Sequence, residues 1–211
     1  MDESRFARLW KKCVPARDGS AAAAVYRTLR GYYSEPWRCY HTLSHLRHCL
    51  EKLDEVAHLL DAPDQVEMAL WFHDVIYVPG AGDNEARSVE LFDGLLGGAV
   101  SPAFARRIRE LIMATCHYEP PATGDERYVV DIDLASFGLP WKAFIHDSEK
   151  VRAEALHLTE SEFLRNQLAF LRRLLSRPHF YSTPYFRRKY EAQARENLSR
   201  KIADLTVNGY T

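Results

Sequence analysis

The sequence has no Gly-x-x-x-x-Gly-Lys-Ser/Thr loop, no Gly-x-Gly-x-x-Gly and no Gly-x-Ser-x-Gly. A Walker-type phosphate cradle, a dinucleotide fingerprint and a nucleophile elbow are therefore absent as motifs. His-Glu-x-x-His is missing as well. Cysteine is scarce and scattered: Cys13, Cys39, Cys49 and Cys116 form no Cys-x-x-Cys pair. That argues against a disulfide framework and against a zinc ribbon. No apolar run approaches the ~18 residues of a membrane span. Charge of one sign is lacking too, since the net charge is -1. Nothing electrostatic points to nucleic acid or to an anionic membrane, and an anionic substrate must be met by local charge. The opening MDESRFARLWKK is acidic and amphipathic, without the basic-then-apolar layout of a signal peptide. A reducing cytoplasm is the expected setting.

What remains is the composition of an ordinary globular protein, 46% hydrophobic and 27% charged over 211 residues. That length suits one domain with a full core. Apolar periodicity then gives a succession of helices. The first runs through SRFARLWKKC and breaks near Pro15, and the second covers 20–33 ahead of Pro36. The third is the clearest: Leu43, Leu46, Leu50, Leu53, Ala57 and Leu60 recur at spacings of three and four, with Thr42 as N-cap. Pro63 starts a fourth, expected to carry Val66, Leu70, His73 and Tyr77 along one side. Further helices are expected over 84–96, from Ser101-Pro102 to about Cys116, and over 126–137. HYEPPATGD between the last two reads as a loop. Three more follow at 141–156, 160–175 and 184–206, with a Thr159/Glu162 capping box. No alternating run is long enough for a sheet. The expectation is an all-α, single-domain bundle of eight to ten helices. Its motif-bearing core lies at about 38–140, with C-terminal helices 141–207 packed on it.

Histidines and aspartates interrupt this apolar pattern at three places. His41 and His45 are four apart and share a face if one helix includes both. They read either as a ligand pair or as polar residues at a helix start. His73-Asp74 sits inside the apolar run MALWFHDVIY. A carboxylate there is costly to bury unless it is paired or bound to a cation. The doublet reads as a nitrogen and an oxygen ligand, as a structural hydrogen bond, or as an Asp facing water. Asp131 and Asp133 interrupt VVDIDLASFG. Two residues apart on a helix, they point different ways, so one can bind metal while the other faces solvent or caps. His, then His-Asp, then Asp gives two imidazoles and two carboxylates, a set suited to a divalent ion such as Mn, Co, Ni, Fe, Zn or Mg. The four tryptophans read as core or near-core. The C-terminal RRKYEAQAR reads as a solvated helix face.

With YHTLSHL, ALWFHDVIY, NEARS, DIDLASFG and YEAQARENL, the sequence resembles the HD superfamily, and especially a bacterial branch of predicted metal-dependent phosphohydrolases. The resemblance runs from Arg38 to Leu198. It implies an all-helical HD-type domain with metal ligands His45, His73, Asp74 and Asp133. Among the first histidines, His45, with Cys49 four residues on, matches the family pattern better than His41. Asp133 matches the last ligand better than Asp131, although no alanine precedes it. His41, Asp131 and His117 are further candidates for the metal or its surroundings. Asp74 and Glu85 are the acid/base candidates, and Arg38, Arg47 and Asn84 the substrate-binding ones. The resemblance implies hydrolysis of a phosphorylated small molecule, nucleotides favoured, through a metal-activated water. Two other classes stay open: a non-catalytic helical module that binds metal or nucleotide, and a di-iron oxygenase of the same superfamily. A homodimer is admitted, and no nucleic-acid or membrane partner is expected.

Overall fold

In the computed structural model the described residues are 3–14, 19–122 and 124–207; the expected break at Pro15 lies outside them. Among them are ten α-helices and two 3-10 turns, with no strand. The chain divides into two compact units, Met1–Ile132 and Asp133–Thr211, at the end of the seventh helix.

The first unit starts from amphipathic pieces that the sequence spells out. Helix α1 (Glu3–Cys13) buries Phe6, Leu9 and Trp10, and α2 (Gly19–Tyr32) buries Val25, Tyr26 and Leu29. Phe6 packs edge-on to Trp71 with ring centroids 5.0 Å apart, and Tyr26 meets the same indole. Trp71 belongs to α4 (Pro63–Phe72), whose first turn is set by Pro63. Arg5 of α1 reaches Asp54 and Glu67, both at 2.8 Å, joining α1 to α3 (Leu43–Val56) and α4. Thr42 caps α3 as expected, its hydroxyl accepting from the Ser44 amide. The α3 stripe Leu46, Cys49, Leu50, Leu53 and Val56 is buried; each large apolar side chain of this kind contributes about 1.5–3 kcal/mol. A 3-10 turn at Ala57–Leu59 ends that helix.

Helices α5 (Asn84–Leu96), α6 (Pro102–Ala114) and α7 (Gly124–Asp133) follow. Ser101 caps α6 through the Phe104 amide. Arg109 of α6 pairs with Asp93 of α5, and Arg107 of α6 with Glu126 of α7. The carboxylate of Asp125, almost fully buried, accepts from the amides of Asp61 and Ala62. It therefore holds the two residues that precede α4. This fixes the beginning of α7 against the beginning of α4.

The second unit holds a 3-10 turn (Leu134–Gly138), α8 (Trp141–Glu154), α9 (Glu160–Leu175) and α10 (Pro184–Val207). The Thr159/Glu162 capping box is present. Phe137 sits among Phe144, Phe170 and Phe180. The residues expected to form a solvated face on α10 instead organise this unit. Glu191 accepts from the amides of Phe180 and Tyr181 and from Arg195. Burial opposes its charge, but those donors outweigh it and hold the carboxyl below its ordinary range. Arg195 donates to the carbonyls of Leu175, Arg177 and Pro178, and Arg187 to those of Tyr181 and Ser182.

Two further side chains grip the turn that follows α7. The Tyr181 hydroxyl donates to Leu134 O at 3.1 Å, and Asn197 Nδ2 donates to Phe137 O and Leu139 O, both at 2.8 Å. Gly138 is required here, since a Cβ would lie 2.5 Å from Tyr190 Cβ. Asn197 is fully buried, so Asn197→Ala leaves two carbonyls without their donor. The expected cost is about 2 kcal/mol or more, measured as a lowered urea midpoint with unchanged slope.

Candidate metal centre

Four side chains bring ligand atoms together: His45, Cys49, His73 and Asp133, all within 4.8 Å of one another. Their placement follows from three helix segments. His45 and Cys49 stand one turn apart on α3, on its buried face. His73 is the C-cap of α4, and Asp133 is the last residue of α7. Asp74, the next residue after His73, turns its carboxylate onto the same nitrogens. Its Oδ2 lies 3.0 Å from His73 Nε2 and 3.3 Å from His45 Nε2. The two Nε2 atoms are themselves 3.3 Å apart.

The protonation of His73 can be worked out. Its Nδ1 lies 2.8 Å from the Leu70 carbonyl, which can only accept. Nδ1 therefore carries a proton, and whenever the ring is neutral its Nε2 lone pair faces the cluster. This is the arrangement by which a histidine is oriented as a metal ligand. Metal–nitrogen and metal–oxygen bonds of about 2.0–2.1 Å place neighbouring ligand atoms about 3.0 Å apart at right angles and about 3.4 Å apart at the tetrahedral angle. The observed edges of 3.0 to 3.3 Å lie in that interval. The residues present thus fit a divalent ion.

Burial opposes ionisation of Asp74, but with the imidazoles protonated the charges of His73 and His41 and the hydrogen bonds from His45 and His73 prevail, holding its carboxyl well below the usual range. Cys49 is opposed by burial in the same way, and His45 and His73 pull its thiol below the ordinary value. His45 and His73 are buried, whereas the Asp74 side chain keeps 15% of its surface exposed.

The doublet does not lie inside a helix. α4 ends at Phe72, and Tyr77 falls beyond it. The apolar run continues because the turn itself is buried, Val75 being fully so. His41 also lies outside α3, so the two first histidines do not share a helix face. Its ring stacks on Tyr77 at 3.7 Å, and Trp37 stacks on the same ring at 6.2 Å. Trp37 is 38% exposed, against the expectation of a core residue.

Of the three expected substrate-binding residues, Arg38 and Asn84 are hydrogen-bonded within the chain and Arg47 is exposed. The Arg38 side chain is buried, and its guanidinium is committed. Nε donates to Glu35, Nη1 to the carbonyls of His41 and Asp74, and Nη2 to that of Val75. It clamps the segment before α3 to the turn bearing the doublet. Arg47 is exposed, about 200° around α3 from His45. Asn84 is buried, and its amide both accepts from Val78 N and donates to Val78 O. Ser88, one turn on, bonds the backbone of Ile76 at both N and O. The NEARS segment thus straps the chain that follows the doublet.

Glu85 and His117 do not join the ligand group among the described residues. Glu85 contacts Cys116, whose thiol burial and the Glu85 carboxylate push up to about 12. His117 follows with a left-handed backbone, φ 58°. Asp131 is fully buried, two residues from the ligand position. Cys49 is the site residue that the sequence reading missed. Its signal was present in the His-x-x-x-Cys spacing, but a cysteine in an apolar stripe reads as core. No family model, no curated protein and no solved structure matches the chain.

Proposed function

We propose that the chain is a metal-dependent phosphohydrolase acting on a phosphate ester or anhydride. The observation that carries the metal is the convergence of His73 Nε2, His45 Nε2 and the Asp74 carboxylate at edges of 3.0 to 3.3 Å. A cation placed among these atoms would satisfy all of them at once. The phosphorus chemistry rests on the resemblance to the HD superfamily. A divalent ion held by His45, His73, Asp74 and Asp133 would supply a Lewis acid and lower the pKa of water at the site toward neutrality.

The chain's own residues divide the remaining tasks. Asp74, whose side chain keeps 15% of its surface exposed, would orient the attacking water by accepting a hydrogen bond from it. His41, whose ring stacks on Tyr77 beside the doublet, would take the anion-stabilising role. Tyr77 carries both His41 and the exposed Trp37. Trp37, 38% exposed, would be the ring to stack on a nucleobase, base–aromatic stacking contributing about 1–3 kcal/mol.

The test is a panel of phosphomonoesters, nucleotides and anhydrides, assayed after chelation and after return of Mn2+, Co2+, Zn2+ or Mg2+ in turn. Hydrolysis is expected to vanish with the chelator and return with at least one ion. Activity that survives metal removal, or a broad panel silent with every ion, would overturn the proposal.

A further inference from the structure

Cys49 has no task in the function proposed above, yet its Sγ is one of the four mutually close ligand atoms. The residue is fully buried, and Sγ lies 3.6 Å from His45 Nε2. Its position on α3 makes this contact obligatory, because residues four apart share a helix face. The length of the edge is informative. With metal–sulfur and metal–nitrogen bonds of about 2.3 Å and about 2.05 Å, sulfur and nitrogen lie about 3.6 Å apart at the tetrahedral angle and about 3.1 Å apart at a right angle. The same angle places two imidazole nitrogens about 3.3–3.4 Å apart, and the observed His45–His73 separation is 3.3 Å. Both edges are separations that two ligands of one ion adopt.

We infer that Cys49 ligates the ion through sulfur, so that the centre selects a borderline-soft transition metal such as Zn2+, Fe2+ or Co2+ over Mg2+. The inference rests on the metal centre proposed above and adds to it a ligand and an ion class. On binding, the thiol proton leaves to solvent and the sulfur lone pair forms the metal bond; no oxidant or reductant is involved. Thiolate and imidazole suit Zn2+ and its neighbours, whereas Mg2+ demands oxygen ligands in an octahedron and retains its waters. The competing reading of the same distance is a neutral thiol hydrogen-bonded to the imidazole, with sulfur outside the coordination sphere.

Cobalt titration of the metal-free, full-length protein separates these readings. Visible d–d bands report Co2+ in the site, and a near-ultraviolet sulfur-to-cobalt charge-transfer band reports a thiolate ligand. The wild type is expected to show both. Cys49→Ser should keep the visible bands, lose the charge-transfer band, and bind Zn2+ about 10–100-fold more weakly. Mg2+ should not displace Co2+ from the wild type. Visible bands without charge transfer in the wild type would overturn the thiolate and leave the metal centre standing, and so would a charge-transfer band that persists in Cys49→Ser. No Co2+ uptake by the wild type, or uptake undiminished in His73→Ala, would overturn the centre itself and the inference with it. The wild-type spectrum decides even if the serine variant fails to fold, and Cys49→Ala provides a second, apolar replacement.

Discussion

Asp74→Asn and His73→Ala are each expected to lose the metal, with an affinity at least about 100-fold weaker than wild type, since even residues outside the coordination sphere cost about 10–100-fold. Both effects come from the same triangle of atoms. His73 presents Nε2 because its Nδ1 proton is held by Leu70 O at 2.8 Å. Removing the ring removes that lone pair. Asp74 brings a negative charge to 3.0 to 3.3 Å from both imidazole nitrogens. Its amide is nearly isosteric, so the metal-free fold should survive while the attraction for a cation goes. Added metal should therefore raise the melting temperature of the wild type and leave Asp74→Asn unmoved; a ligand at 100 times its dissociation constant stabilises by about 2.7 kcal/mol. Metal content by elemental analysis, alongside melts with and without ion, measures both effects. A folded Asp74→Asn or His73→Ala protein with full metal occupancy would remove the doublet from the site.

The helices were legible because their signals are local. Thr42, Pro63, Ser101-Pro102 and the Thr159/Glu162 box each act within one turn, and each begins a helix where expected. The end of α4 was not legible for the opposite reason. Apolarity in MALWFHDVIY reports burial, and the buried turn after Phe72 carries the same pattern as a buried helix. The ligand residues showed as polar interruptions of apolar sequence. Their neighbours could not be sorted in the same way. Arg38, Asn84, Ser88, Arg195 and Asn197 all bond to backbone groups of distant or irregular segments. A carbonyl has no letter in the sequence, so an arginine that clamps backbone looks the same as one that binds phosphate. Cys49 was hidden by its dual chemistry, since a thiol on an apolar stripe satisfies the core pattern whether or not it binds metal.

The same limit bears on the two aspartates of α7. Both interrupt apolar sequence, and both lie in one helix, Gly124–Asp133. Two residues apart, they point about 200° away from each other, so one ion cannot take both from a regular helix. Near its beginning, Asp125 binds the chain just before α4. At its end, the Asp133 carboxylate stands within 4.8 Å of the ligand atoms of His45, Cys49 and His73. Asp131 is fully buried and outside that group. The two Asn variants should therefore fail in different ways. Asp133→Asn should fold with little loss and bind metal more weakly by about 100-fold, as for the other ligands. Asp131→Asn should lose about 1–3 kcal/mol of stability, the cost of disturbing a buried polar group, and should bind metal normally once folded. Urea unfolding of the metal-free proteins reads the first difference, and titration with ion the second. Loss of metal from Asp131→Asn, with Asp133→Asn binding as wild type, would exchange the two roles.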